Sequence, residues 1–114
     1  MTKHIRPAAL LALAIAFPLT ALAQEGTVTI SAPAEGAKLQ AAAENRVTYE
    51  IVPGPKGDHS HLYVDGKEIA VLRELKGSAP LKALAAGPHE VCVKVVNKNH
   101  TPIGVEKCVK VTVE

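Results

Sequence analysis

His89-Glu90-Val91-Cys92-Val93-Lys94-Val95-Val96, followed after a polar break by Gly104-Val105-Glu106-Lys107-Cys108-Val109-Lys110-Val111-Thr112-Val113, is the stretch from which the fold can be read. Both segments alternate valine with polar residues, the two-residue period of a half-buried strand. The break, Asn97–Pro102, is polar and carries a proline, as a hairpin tip does. Setting Cys92 opposite Cys108 also sets Glu90 opposite Lys110 and Lys94 opposite Glu106. All three pairs then share the face opposite the valines. Each such pair is worth about 0.2–1 kcal/mol, so together they favour one register. Lys107 falls opposite Val93 on the inward face, which suggests a bulge nearby or an edge position.

The rest of the chain has the same grammar. Strands are expected at Thr27–Ser31, Arg46–Val52, Ser60–Asp65, Glu68–Leu72, Pro80–Leu84, His89–Val96 and Gly104–Val113. Turn residues separate them: Pro33 to Gly36, Pro53 to Gly57, Asp65-Gly66, Gly77-Ser78 and Gly87-Pro88. Asp65-Gly66 between two strands is a strong type I′ hairpin signal. The expected core consists of Val28, Ile30, Val47, Tyr49, Ile51, Leu62, Val64, Val91, Val93, Val95, Val105, Val109, Val111 and Val113. About seven short strands in one unit, with no sustained helical period, read as an all-β, immunoglobulin-like antiparallel β-sandwich.

Residues 1–23 read differently. Lys3, His4 and Arg6 precede an apolar run from Ala8 to Ala16; Pro18 interrupts it, and Ala21-Leu22-Ala23 supplies small residues for cleavage. This is the layout of a secretory signal peptide, cut after Ala23. The run falls short of the roughly 20 residues that a spanning helix needs. The domain is then residues 24–114, in the periplasm or secreted. Two cysteines in an exported chain point to a disulfide, Cys92–Cys108. Their wide spacing and the lack of a helix N-terminus argue against a redox pair.

Removing Lys3 and Arg6 from the 13 basic residues of the whole chain leaves 11 against 11 acids. A neutral domain lacks the basic excess that nucleic acid or an anionic membrane surface requires. Its only aromatic residues are Tyr49 and Tyr63, so base-stacking platforms are excluded. The domain is expected to be a monomer or a weak oligomer.

Four histidines carry the chemistry. His59 and His61, two apart at the entry of the third expected strand, point to one side, opposite Leu62 and Val64. His100 lies at the tip of the last hairpin. In an immunoglobulin-like sandwich the third strand pairs antiparallel with the sixth, which brings His59 and His61 near His100. His89 should stand apart at the other end. Three neutral imidazoles suit Zn²⁺ or Cu²⁺, and Asp58 can fix a ring tautomer or ligate directly. The centre is expected at the solvent-open loop end. Against this stands the plain reading that histidines near turns cap or hydrogen-bond loop backbone.

Enzyme signatures are thin. Ser60 lies between two histidines, but no acid is arranged to complete a triad. The glycines follow turn logic, so no phosphate loop is expected. No catalytic residue and no organic cofactor are expected.

His59-Ser60-His61-Leu62-Tyr63-Val64-Asp65-Gly66, Leu84-Ala85-Ala86-Gly87-Pro88-His89 and Asn99-His100-Thr101-Pro102-Ile103-Gly104 together resemble a group of small exported bacterial domains of unknown function. These share the layout H-x-H-L-x-hydrophobic-D, L-x-x-G-x-H and N-H-x-P. Ser31 to Ala37 also looks like theirs. The resemblance spans most of residues 27–113, implies an immunoglobulin-like sandwich outside the cytoplasm, and singles out all four histidines. It supplies no activity, and the cysteine pair is not part of the pattern. Two functions follow as expectations. One is a non-catalytic module holding a divalent copper or zinc ion through His59, His61 and His100, with Asp58 assisting. The other is a periplasmic protein- or polysaccharide-binding accessory domain without metal.

Overall fold

The computed structural model describes residues 26–114; the signal-peptide assignment to residues 1–23 lies outside them. Eight strands follow in order: β1 (Thr27–Ala32), β2 (Lys38–Leu39), β3 (Arg46–Val52), β4 (His59–Val64), β5 (Lys67–Leu72), β6 (Lys76–Pro80), β7 (Gly87–Val96) and β8 (Pro102–Val113). They form a three-stranded sheet, β1-β3-β6, and a five-stranded sheet, β2-β8-β7-β4-β5. The two layers make a β-sandwich. Among the described residues no helix is long and apolar enough to cross a membrane.

Strict alternation builds the core. In β3, Val47, Tyr49 and Ile51 are buried while Arg46, Thr48, Glu50 and Val52 are exposed. Facing them, Leu62 of β4 and Val91, Val93 and Val95 of β7 have no exposed surface. With so few aromatic rings, this core depends on β-branched side chains filling pleated surfaces.

The hairpin register is the one the charges and cysteines specify. β7 and β8 pair Glu90 with Lys110, Cys92 with Cys108 and Lys94 with Glu106. Cys92 and Cys108 are bridged, with Cα atoms 4.0 Å apart. Lys107 does pair with Val93, and it remains exposed. The irregularity comes one step further along, between Lys94 and Val96. There two consecutive valines are both fully buried. Val95 joins the core between the sheets, whereas Val96 lies outside that cluster. Asp65 and Gly66 both have positive φ, 52° and 83°, as a type I′ turn demands.

Three expectations are corrected. Gly87-Pro88 is no turn but opens β7, opposite Val113 and Thr112. The sheet is not wholly antiparallel, because the two-residue β2 runs parallel to β8. The strand expected at Pro80–Leu84 is instead Lys76–Pro80, and Gly77-Ser78 is no turn but pairs with Tyr49 and Thr48. The anchor is Arg46, whose Nε donates to Ser78 Oγ (3.0 Å) and whose terminal nitrogen donates to Ser78 O (3.2 Å). Pro80, without an N–H, closes the ladder. Leu81 is buried without being in a strand, its N–H donating to Asn45 O at 2.8 Å.

Candidate metal centre

β4 lies between β7 and β5, and its register decides where its histidines sit. His59 is opposite Val96, and His61 is opposite Lys94 on β7 and Val71 on β5. Both rings therefore project from the outward face of the five-stranded sheet, while Ser60 between them points the other way. An outward residue is normally wet. Here His59 and His61 are only 9% and 1% exposed.

The β7–β8 tip brings the third ring to them. Asn97 organises it: its Oδ1 accepts from the N–H groups of Asn99 (2.8 Å) and Thr101 (3.1 Å). His100 N–H donates to Asn97 O at 2.9 Å. His100 itself has φ +65°, a left-handed conformation that is uncommon for a residue with a Cβ. At the other side, the loop before β4 is drawn tight: a Cβ on Gly57 would stand 2.5 Å from Pro53 O and 2.6 Å from Val95 Cγ1. Only glycine fits that approach, after which Asp58 N–H donates to Val96 O at 2.8 Å.

Three ring nitrogens converge. His59 Nε2 is 3.1 Å from His61 Nε2 and 3.2 Å from His100 Nδ1, and His100 Nδ1 is 3.3 Å from His61 Nε2. The tautomers follow from what lies behind each ring. His59 Nδ1 is 2.8 Å from Asp58 Oδ2 and so must carry the proton it donates. His61 Nδ1 has the Tyr63 hydroxyl oxygen at 3.4 Å and Glu68 Oε1 at 3.2 Å. A bare lone pair so close to a carboxylate would be repelled, so the proton sits on Nδ1 here too. Both Nε2 atoms are then left as lone pairs facing each other. One proton on His100 Nδ1 cannot relieve the edge between the two Nε2 atoms, whereas a cation relieves all three. The donor set can hold a metal ion.

Electrostatics agree. Burial, the largest influence, pushes the His61 pKa down, and the Glu68 carboxylate partly opposes it. The Asp58 carboxyl is held below the usual carboxylate range, chiefly by its bond to His59, with Lys98 and Arg73 adding positive charge nearby.

The expected residues are thus brought together, with two refinements. Asp58 acts through His59 and is not one of the converging donors. Glu68 and Tyr63, which sequence reasoning did not single out, support His61 in the same way. Their signal was available: Tyr63 keeps period two with His61, and the Asp65-Gly66 turn folds Glu68 back opposite Tyr63. The other cluster of possible donors, Glu90 with Cys92 and Cys108, has its sulfurs locked in the disulfide.

His89 stands apart at the other end of β7. Its Nδ1 is 2.6 Å from Asp65 Oδ2 and its Nε2 is 2.7 Å from Ala85 O. Two acceptors require two N–H donors, hence an imidazolium. The Asp65 hydrogen bond first and the Ala85 carbonyl second raise the His89 pKa. A raised folded-state pKa contributes stability that is complete below about 6.5 and fades as pH climbs through the folded value. His89→Gln should therefore cost about 1 kcal/mol at pH 5.5–6 and clearly less at pH 9, measured by denaturant unfolding at both. An equal loss at both pH values would refute the imidazolium.

No protein-family model matches the chain, and no match was found among curated proteins. Solved structures share the fold. The chain resembles the fibronectin(III)-like modules of CbhA from Clostridium thermocellum at TM-score 0.64 and 20% identity, over 81% of this chain and 48% of that one. It is similar to the extracellular domain of BT4673 from B. thetaiotaomicron at TM-score 0.52 and 11% identity, over 81% of this chain and 16% of that one. The chain thus spans about half the length, or less, of the structures it matches. The fold is a fibronectin-III-like β-sandwich.

Proposed function

We propose that the protein is an exported, non-catalytic binding module whose ligand is one divalent copper or zinc ion, held by His59 Nε2, His61 Nε2 and His100 Nδ1. The observation that carries this reading is the triangle of ring nitrogens with edges of 3.1–3.3 Å. Ligands of one ion at about 2.0–2.1 Å each must lie roughly 3–3.5 Å apart. Asp58 and Glu68 supply the outer partners that ligating histidines usually have. Neutral imidazoles suit zinc and copper among the available metals.

Export is supported by the disulfide, which persists in oxidising compartments, and by the extracellular origin of BT4673's similar domain. Titration calorimetry at pH 7.4 tests the metal reading. One Zn²⁺ or Cu²⁺ should bind per chain with Kd below about 10 μM, worth about 7 kcal/mol. Binding should weaken in acid, where protons compete with the ion for the imidazole nitrogens. Weaker or multiple binding of both ions would overturn the reading.

A second reading, a protein- or polysaccharide-binding accessory domain, draws on Val52 and Leu75, apolar residues each 55% exposed. Leu75 O accepts from Ile51 N–H, so the two lie close together. A pull-down repeated with excess chelator separates the readings: retention of a partner that ignores chelator favours the second.

A further inference from the structure

The shape of the nitrogen triangle says more than that an ion can bind, provided the metal reading holds. A triangle with edges of 3.1, 3.2 and 3.3 Å has a circumradius of about 1.85 Å, shorter than a metal–nitrogen bond of about 2.0–2.1 Å. An ion equidistant from the three cannot lie in their plane. It stands roughly 0.8–1.0 Å to one side, the base of a tetrahedron whose fourth direction points away from all three rings. Among the described residues no fourth His, Cys, Asp or Glu atom joins the cluster. The nearest carboxylates, Asp58 and Glu68, are engaged behind the rings at Nδ1 of His59 and His61. The Tyr63 hydroxyl is behind His61 as well. Structural zinc sites close with four protein ligands, and sites that act on something keep three.

Charge indicates what would take the fourth position. Three neutral imidazoles leave an ion its full double positive charge, and the two carboxylates close by, Asp58 and Glu68, lie behind the rings and not at the open position. Of the three ligand residues only His100 is exposed, so the side it occupies is the one from which a solute would approach.

We infer that the centre has an exchangeable fourth coordination position, selective for a small monodentate anion from solution, which competes there with water. The module would then present a metal ion that binds an anion, and would not merely store the ion.

Azide is the probe. The purified protein, loaded with one Cu²⁺ per chain in chloride-free buffer and desalted, is titrated with sodium azide and followed by absorbance. An azide-to-copper charge-transfer band should grow to a plateau at one azide per copper, with the copper still bound after a second desalting. Copper bound one-to-one with no new band up to about 0.1 M azide overturns the inference while leaving the metal reading intact, since a Kd of about 10 mM would already give roughly nine-tenths occupancy. Loss of copper to azide overturns it too. Failure to bind copper at the loading step overturns this inference, and it overturns the metal reading as well only when Zn²⁺ also fails to bind.

Discussion

His100→Gly should abolish tight metal binding and, at the same time, leave the metal-free domain as stable as before or more so. His100 supplies one of three donors, so its loss should lower the affinity for Zn²⁺ or Cu²⁺ by more than the roughly 10–100-fold that loss of an outer partner costs. Glu68→Gln, which removes such a partner from His61, serves as the milder comparison. The stability argument is separate. His100 is exposed and has φ +65°, a conformation costing a residue with a Cβ about 1–2 kcal/mol. Glycine removes that cost but adds about 0.4–1 kcal/mol of unfolded-state entropy. The net change lies between zero and a gain of about 1.6 kcal/mol. Opposite effects on binding and stability mark a residue held in strain for a ligand. A structural histidine would show a stability loss and no change in affinity. Calorimetry with either ion and thermal unfolding of the metal-free protein read the two effects, and unaltered affinity in the variant would remove His100 from the centre.

The second large effect concerns the disulfide. Cys92 and Cys108 are 16 positions apart, and closing a loop of that length stabilises by about 3 kcal/mol in the chain-entropy account. The core they help has no phenylalanine or tryptophan among its buried residues. For a domain of this size each kcal/mol moves the midpoint by about 4–8 °C, so the double Cys→Ala variant should melt roughly 12–24 °C lower. The closed loop contains His100, so the bridge holds the hairpin that carries the third ligand to β4. Added Zn²⁺ should recover part of the lost midpoint, because an ion that binds only the folded state stabilises it by mass action. A midpoint within a few degrees of the parent would show that strand pairing alone holds the hairpin.

What the sequence shows well is what repeats. The β7–β8 register is legible because two charge pairs and the cysteines agree on it, each independently. The convergence of His59, His61 and His100 follows from that hairpin and the β4–β7 pairing. Burial of the two β4 rings is not legible. Neither the β7 irregularity beside Val96 nor the left-handed histidine at the tip leaves a compositional trace. The site expected to be open is accordingly open only at His100. Glu68 was legible from the Asp65-Gly66 turn, which sets it opposite Tyr63; the register shift comes only beyond that pair, between Leu62 and Tyr63. The β6 strand was misplaced because Gly77-Ser78 has the composition of a turn, whereas its place is set by pairing to a central strand. β2, two residues long, is too short for any period to show.

Whether three imidazole nitrogens bind one ion is read from a crystal structure of the zinc-loaded protein, with anomalous scattering recorded at the zinc edge. One anomalous peak should lie about 2.0–2.1 Å from each of His59 Nε2, His61 Nε2 and His100 Nδ1, with Asp58 still on the far side of the His59 ring. A peak held by other residues, or zinc scattered over surface carboxylates with the three rings unoccupied, would contradict it.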